Sequence, residues 1–203
     1  MGGIDKLISG ALSTEIKKKM DSDMLKKVER ELFLDHGMSI KLSIEHFQKF
    51  TNVLKKNSNI DVKRFEKDCI DKIIKVKKRD NRYNVTIVNT FVTDLILELF
   101  SESETRKIIS TLLENEYTIP QILKESKVAK TSGYRKIENL IINGLVIESG
   151  KVLSESKKIF KLQCVFQKIK IDIKKEKIRV NGVVSKKMFE KSTSMKSIFE
   201  ALA

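Results

Sequence analysis

Tryptophan is absent, and proline occurs once and cysteine twice in 203 residues. The cysteines, Cys69 and Cys164, stand alone, with no CxxC pair and no histidine at ligand spacing. That excludes a disulfide framework and a zinc site, and both read as buried small hydrophobes. The single proline, Pro120, falls in the first turn of a predicted helix, where its missing N–H is harmless, so no proline-rich linker divides the chain. No apolar run approaches the roughly 18 to 20 residues that a membrane span needs, and the N-terminus has no long apolar signal segment. A cytoplasmic location is therefore expected. The phosphate-binding patterns GxGxxG and GxxxxGK[ST] are missing, as is the GxSxG setting that would turn Ser43 and His46 into a nucleophile and base. His36 and His46 have no Asp, Glu or Cys at ligand spacing. The chain is not expected to be an enzyme, and no cofactor or metal is expected.

What is present is positive charge. Lys and Arg number 41 against 27 Asp and Glu, a net charge of +14, which favours an anionic partner, either nucleic acid or an anionic membrane. The excess is uneven: residues 1–103 carry net +4 and residues 104–203 net +10. Apolar residues, at 40%, suffice for real cores.

The first half, residues 1–100, reads as a mostly helical unit. Met20, Met24, Leu25, Val28 and Leu32 recur at helical spacing, with Gly37 as a stop. Ser43 is read as the cap of a second helix that turns Ile44, Phe47, Phe50, Thr51 and Leu54 to a core. Asp61 is read as an N-cap, with Ile60 and Phe65 as a hydrophobic staple, opening a third helix through Phe65, Cys69, Ile70, Ile73 and Val76. The lysine runs 17–19 and 77–79 read as solvated faces or turns, with a turn at Asp80 and Asn81. Tyr83, Val85 and Ile87 alternate as a short strand. Asn89 then caps an apolar helix, residues 89–100, that is either a core helix or a dimer interface. Ser101 with Glu104 resembles a capping box at the boundary between halves.

Residues 118–145 form the most informative stretch. Ile108, Ile109, Leu112 and Leu113 stripe a first helix, and Ile119, Ile122 and Leu123 turn a second towards it. Residues 126–129 make a turn with Val128 inward. On a third helix, at about 100° per residue, Tyr134, Ile137 and Ile141 share one side, with Ser132, Arg135, Lys136 and Asn139 opposite. Hydroxyls with Arg, Lys and Asn are the groups that bind phosphate oxygens and base edges. Residues 145–148 and 160–165 are strand-like around a polar wing, where Lys151, Lys157 and Lys158 supply charge for a phosphate backbone. Beyond it, Val165, Ile169, Ile171 and Ile173 alternate, answered across a turn at 174–177 by Ile178, Val180 and Val183. This hairpin either completes the wing sheet or pairs with a partner chain. In the tail, 185–203, residues 195–202 read as a short helix.

The sequences SETRKIISTLLENEYTIPQILKES (103–126) and TSGYRKIENLIINGLV (131–146), with a YR.I..L...GL pattern in the second, resemble the winged helix-turn-helix of archaeal ArsR-like transcriptional regulators over residues 101–165. The resemblance implies that Thr131, Ser132, Tyr134, Arg135 and Lys136 face DNA, although periodicity places Tyr134 inside. Lys130, at the start of the same helix, joins the expected DNA-binding set. The metal-sensing cysteines of founding ArsR proteins are missing. The first half resembles small helical output domains of ammonia-oxidising archaea, which identifies no ligand.

The expected fold is α+β, mainly α with a small β component: a helical N-terminal domain, a winged helix-turn-helix with a β-hairpin over residues 101–184, and a tail. The expected function is sequence-specific binding of double-stranded DNA by a homodimeric regulator, the first half positioning, dimerising or regulating the reader in response to an unidentified effector. The alternative is a winged helix used for protein contact within transcription machinery, without base reading.

Overall fold

A computed structural model describes residues 3–154, 157–175, 177–195 and 198 of the chain. The class is α+β, and its β part is larger than the sequence reading expects. Helix α1 (Gly3–Lys19) runs through the middle of the first half. Periodicity does not single it out because it has little polar face: Ile4, Leu7, Ile8, Leu12 and Ile16 are buried, and so are Asp5, Ser9 and Ser13. A helix wetted on only a narrow side shows little amphipathic contrast.

Around it, α2 (Ser22–His36) starts at an Asp21 cap that the sequence reading does not name, and it ends at the predicted Gly37 stop, which lies in the left-handed region. Ser43 does not cap a helix. Ser39 caps the short α3 (Ile40–Ser43), a 3-10 turn follows at Ile44–His46, and α4 (Phe47–Asn57) continues. The buried Ser43 hydroxyl instead donates to the Ile40 carbonyl at 2.7 Å. Asp61 caps α5 (Val62–Asp71), accepting from the Arg64 N–H at 3.2 Å.

The expected third helix stops earlier than its periodicity suggests. Ile74–Arg79 is strand β1, paired antiparallel with β2 (Arg82–Ile87) across a two-residue turn in which Asp80 has φ 53°. Val76 lies three residues beyond Ile73 and two beyond Ile74, so helical and strand periods fit the same apolar residues. Pairing with Val85 settles the matter in favour of the strand. Asn89 caps α6 (Thr90–Ser101), donation coming from the Val92 N–H at 3.2 Å. Of the two readings of this helix, core holds for Val92, Thr93, Ile96 and Leu99, whereas Phe91 is exposed. The Ser101 capping box does not form. Arg106 donates instead to the carbonyl of Ser101 at 2.7 Å, and α7 (Ser103–Leu112) begins without a side-chain cap.

Helix α8 (Ile119–Ser126) opens on Thr118 and Gln121, whose side-chain oxygen accepts from the Thr118 N–H at 2.9 Å. Helix α9 (Lys130–Ile142) leads into hairpin β3 (Val146–Ser154) and β4 (Lys157–Cys164), with Tyr117 making a single antiparallel bridge to Leu162. The segment read as an open wing loop is thus mostly paired strand, with a register shift between Glu148 and Gly150.

The last hairpin, β5 (Lys168–Lys174) and β6 (Lys177–Ser185), does not extend the wing. It pairs with the first half: the four-stranded antiparallel sheet has order β1-β2-β6-β5. Its apolar face carries Ile74, Tyr83, Val85, Ile87, Val180 and Val184, all buried. Val184 takes the place expected of Val183, which lies on the other face opposite Lys168. Helix α10 (Lys186–Glu190) covers this apolar side, and Phe189 stacks on Tyr83 with centroids 4.1 Å apart. The expected helix over residues 195–202 lies almost wholly outside the described residues. Cys69 and Cys164 are buried and unbridged, burial pushing their thiols up to about 11 and about 12.

Candidate nucleic-acid interface

The α8–α9 corner is built for close approach. Lys127 closes α8 in the left-handed region (φ 54°), and the Val128 N–H donates to the Leu123 carbonyl at 3.2 Å. Val128 turns inward as predicted. Gly133 then lets α9 press onto α8: a Cβ there would stand 2.2 Å from a Leu123 methyl. Gly133, Ile137 and Leu140 form the buried side of α9. Its outward side follows from helical geometry as Thr131, Tyr134, Arg135, Glu138 and Ile142, all exposed.

This rotation corrects the periodicity reading of Tyr134, which is 50% exposed instead of packed with Ile137. The glycine explains the error: Gly133 takes the core position and carries no side chain to mark it. Thr131 and Arg135 lie on the outward side, and Lys130 is exposed at its start. Ser132 is half-buried, its hydroxyl 3.4 Å from the Ala129 carbonyl. Asn139 is exposed, its side-chain oxygen accepting from Asn143 at 2.8 Å.

Lys136 is placed differently. Its side chain is only 12% exposed and is ion-paired with Glu102, with Glu104 at 3.6 Å. It faces the α6–α7 junction across a groove of about 520 Å³ that Glu98, Glu102, Arg135 and Glu138 also line. Sequence reasoning missed Glu98, Glu102 and Glu104 here because they lie outside α9, and only the sharp break between α6 and α7 brings Glu102 to it.

On the hairpin, Lys151 and Lys158 are exposed on one side of β3 and β4. The Lys151 ammonium lies 4.7 Å from the centroid of Phe160, a cation–π contact that holds it over the strand. Lys157 pairs with Ser154 at the tip through its backbone, and its side chain lies outside the described residues. Leu153 is 76% exposed nearby.

Comparison with protein-family models, curated proteins and solved structures gives no match. The chain's own geometry therefore carries the functional argument. Among the described residues, no helix is long and apolar enough to cross a membrane.

Proposed function

We propose that this chain is a DNA-binding transcriptional regulator in which α7 to β4 act as a winged helix-turn-helix. The observation that carries the reading is the order α7, Tyr117 bridge, α8, left-handed turn, α9, hairpin, with Lys130, Thr131, Tyr134 and Arg135 exposed on the third helix. In this reading α9 enters the major groove, where Arg135 donates to guanine acceptors and Asn139 meets adenine. Lys151, Lys157 and Lys158 neutralise phosphates without reading sequence. A homodimer in the cytoplasm is part of the proposal, because one such helix reads only a few base pairs and a two-fold operator needs two.

Arg135→Ala is expected to weaken binding to the chain's selected DNA site by about 10- to 100-fold, the worth of one good bidentate contact. Selection from random duplexes followed by fluorescence anisotropy measures it. Equal affinity of the variant and the parent would remove α9 as the reader. Glu102→Gln should act in the opposite direction. Relieved of the nearer of its two carboxylate partners, Lys136 can swing towards phosphate, so the same titration should show binding strengthened roughly threefold and steeper in salt, by up to about 0.9 in log–log slope. An unchanged slope would mean that Lys136 serves only the α7–α9 junction.

Tyr134, Ile142 and Glu138 also fit the second reading, a protein-contact surface, since two large apolar side chains and an acid are poor company for phosphate. That reading requires partner binding that survives Arg135→Ala and no salt-dependent DNA binding by α9.

A further inference from the structure

The solvent face of the four-stranded sheet is a second cationic surface, separate from α9. On β1, alternation puts Lys75, Lys77 and Arg79 on this face, and Arg82 lies across from Arg79 on β2. On the other edge β5 contributes Lys168, Lys170 and Lys174, and β6 contributes Lys177 and Arg179. Every one of these is exposed. Among the described residues of the face, Asp172 is the only acid, and it is held in a polar ladder. Lys170 donates to it at 2.9 Å, Asn181 donates to it at 3.1 Å, and Thr86 donates to Asn181 at 2.7 Å.

The register makes this more than a solvated lysine surface. Arg79 stands directly opposite Arg82, and Lys174 directly opposite Lys177, at the turn ends of both hairpins. Like charges facing each other across strands weaken a sheet, so folding gains nothing from either pair. A polyanion laid over the face would relieve both. The four strands, about 4.8 Å apart with same-face residues about 7 Å apart along each strand, spread the charge over an area instead of a point. Among its described residues the face has no aromatic side chain, so they offer no platform on which unpaired bases could stack. That favours a duplex, whose charge is on its outside.

We propose that this sheet face binds the phosphate backbone of double-stranded DNA without reading sequence. The choice of DNA rests on the function proposed above. The contact itself is independent of α9.

The test is anisotropy of a 5′-labelled mixed-sequence duplex of about 30 base pairs with the full chain across a salt series, comparing the parent, Arg135→Ala and a quadruple Lys77→Gln, Arg79→Gln, Lys174→Gln, Lys177→Gln variant. The quadruple variant should lose roughly tenfold in affinity near 0.15 M salt, and its log–log salt slope should fall by up to about 3.6, while Arg135→Ala keeps most of the parent's slope. Protection of Lys77, Lys170, Lys174 and Lys177 from acetylation by the duplex, read by mass spectrometry on the parent, serves if the variant does not fold. An unchanged slope in a folded variant, or no protection of these lysines, overturns the proposal. So does sheet-dependent binding to the single strand or to vesicles of phosphatidylserine and phosphatidylcholine in preference to the duplex. Loss of effect at Arg135 alone would strike the α9 reading and leave the sheet contact standing.

Discussion

Gly144→Ala is expected to cost about 3–5 kcal/mol of folding stability. Two independent strains combine. Gly144 sits just past α9 at φ +74°, a conformation that costs an L-residue roughly 1 kcal/mol or more. Its missing Cβ would also stand 2.4 Å from the Leu7 backbone nitrogen and 2.8 Å from the Lys6 carbonyl carbon. These are main-chain atoms of α1, which cannot rotate away as a side chain can, so the helix itself must shift. For a chain of this size the loss corresponds to a fall in melting temperature of roughly 6–20 °C, measurable by circular dichroism. Gly150→Ala is the control: nothing lies within 4 Å of its added carbon, and the change should stay within about 0.5 kcal/mol. Parent-like melting of Gly144→Ala would mean that the end of α9 does not rest on α1. The contact matters because it ties the orientation of α9 to the helix at the centre of the first half.

That coupling is the part of the architecture least visible in the sequence. Local signals were legible: the Asp61 and Asn89 caps, the Gly37 stop, the Asp80–Asn81 turn and the inward Val128 each depend on a few adjacent residues. What sequence reading could not supply was long-range pairing. The alternation in residues 165–184 marks a hairpin correctly, but nothing in it says that β6 lies against β2, nearly a hundred residues earlier. Consequently a division at residue 101 cuts across a sheet whose strands come from both sides of it. Helix α1 was illegible for the opposite reason, since burial on most sides erases the contrast that periodicity detects.

The candidate site shows the same division. Arg135 is legible from one helix's pattern, because exposure opposite a core is a local property, whereas Thr131 enters through the resemblance alone. Lys136 looked equally exposed on that helix, and only the approach of Glu102 and Glu104 from another element removes it from the outward face. Of the sheet cations only the run 77–79 stands out in the sequence, where it reads as a solvated face or turn, and its alignment with the cations of β5 and β6 appears only when the four strands pair. Charge on one strand is a composition fact, whereas charge on one face is a topological one.

Asp5→Ala is expected to cost roughly 3–5 kcal/mol, because it orphans a set of donors that close the chain on itself. Asp5 is fully buried on α1 and accepts from the Ser192 and Ser194 hydroxyls, from the Thr193 N–H at 2.7 Å and from the Ser194 N–H at 3.2 Å. Thr193 in turn accepts from the Phe47 N–H at 3.2 Å, so the clasp also holds the start of α4. Burial raises the Asp5 carboxyl above its ordinary value of 3.8, the serine and backbone donors acting to lower it. A raised folded value has a definite sign: the associated stability is complete below the ordinary value and is lost as pH rises through the raised one. Glu31, Asp68 and Asp172 are lowered by their partners and shift stability the other way, so the useful quantity is a difference. Stability of the parent minus that of Asp5→Asn, from urea unfolding, should be larger at about pH 4 than at about pH 7. A difference that grows with pH would mean that the hydroxyl and backbone donors outweigh burial and that Asp5 is held as a stabilised anion. The two outcomes give the clasp opposite characters, since in the first acidification tightens the junction of the chain's two ends and in the second it opens it.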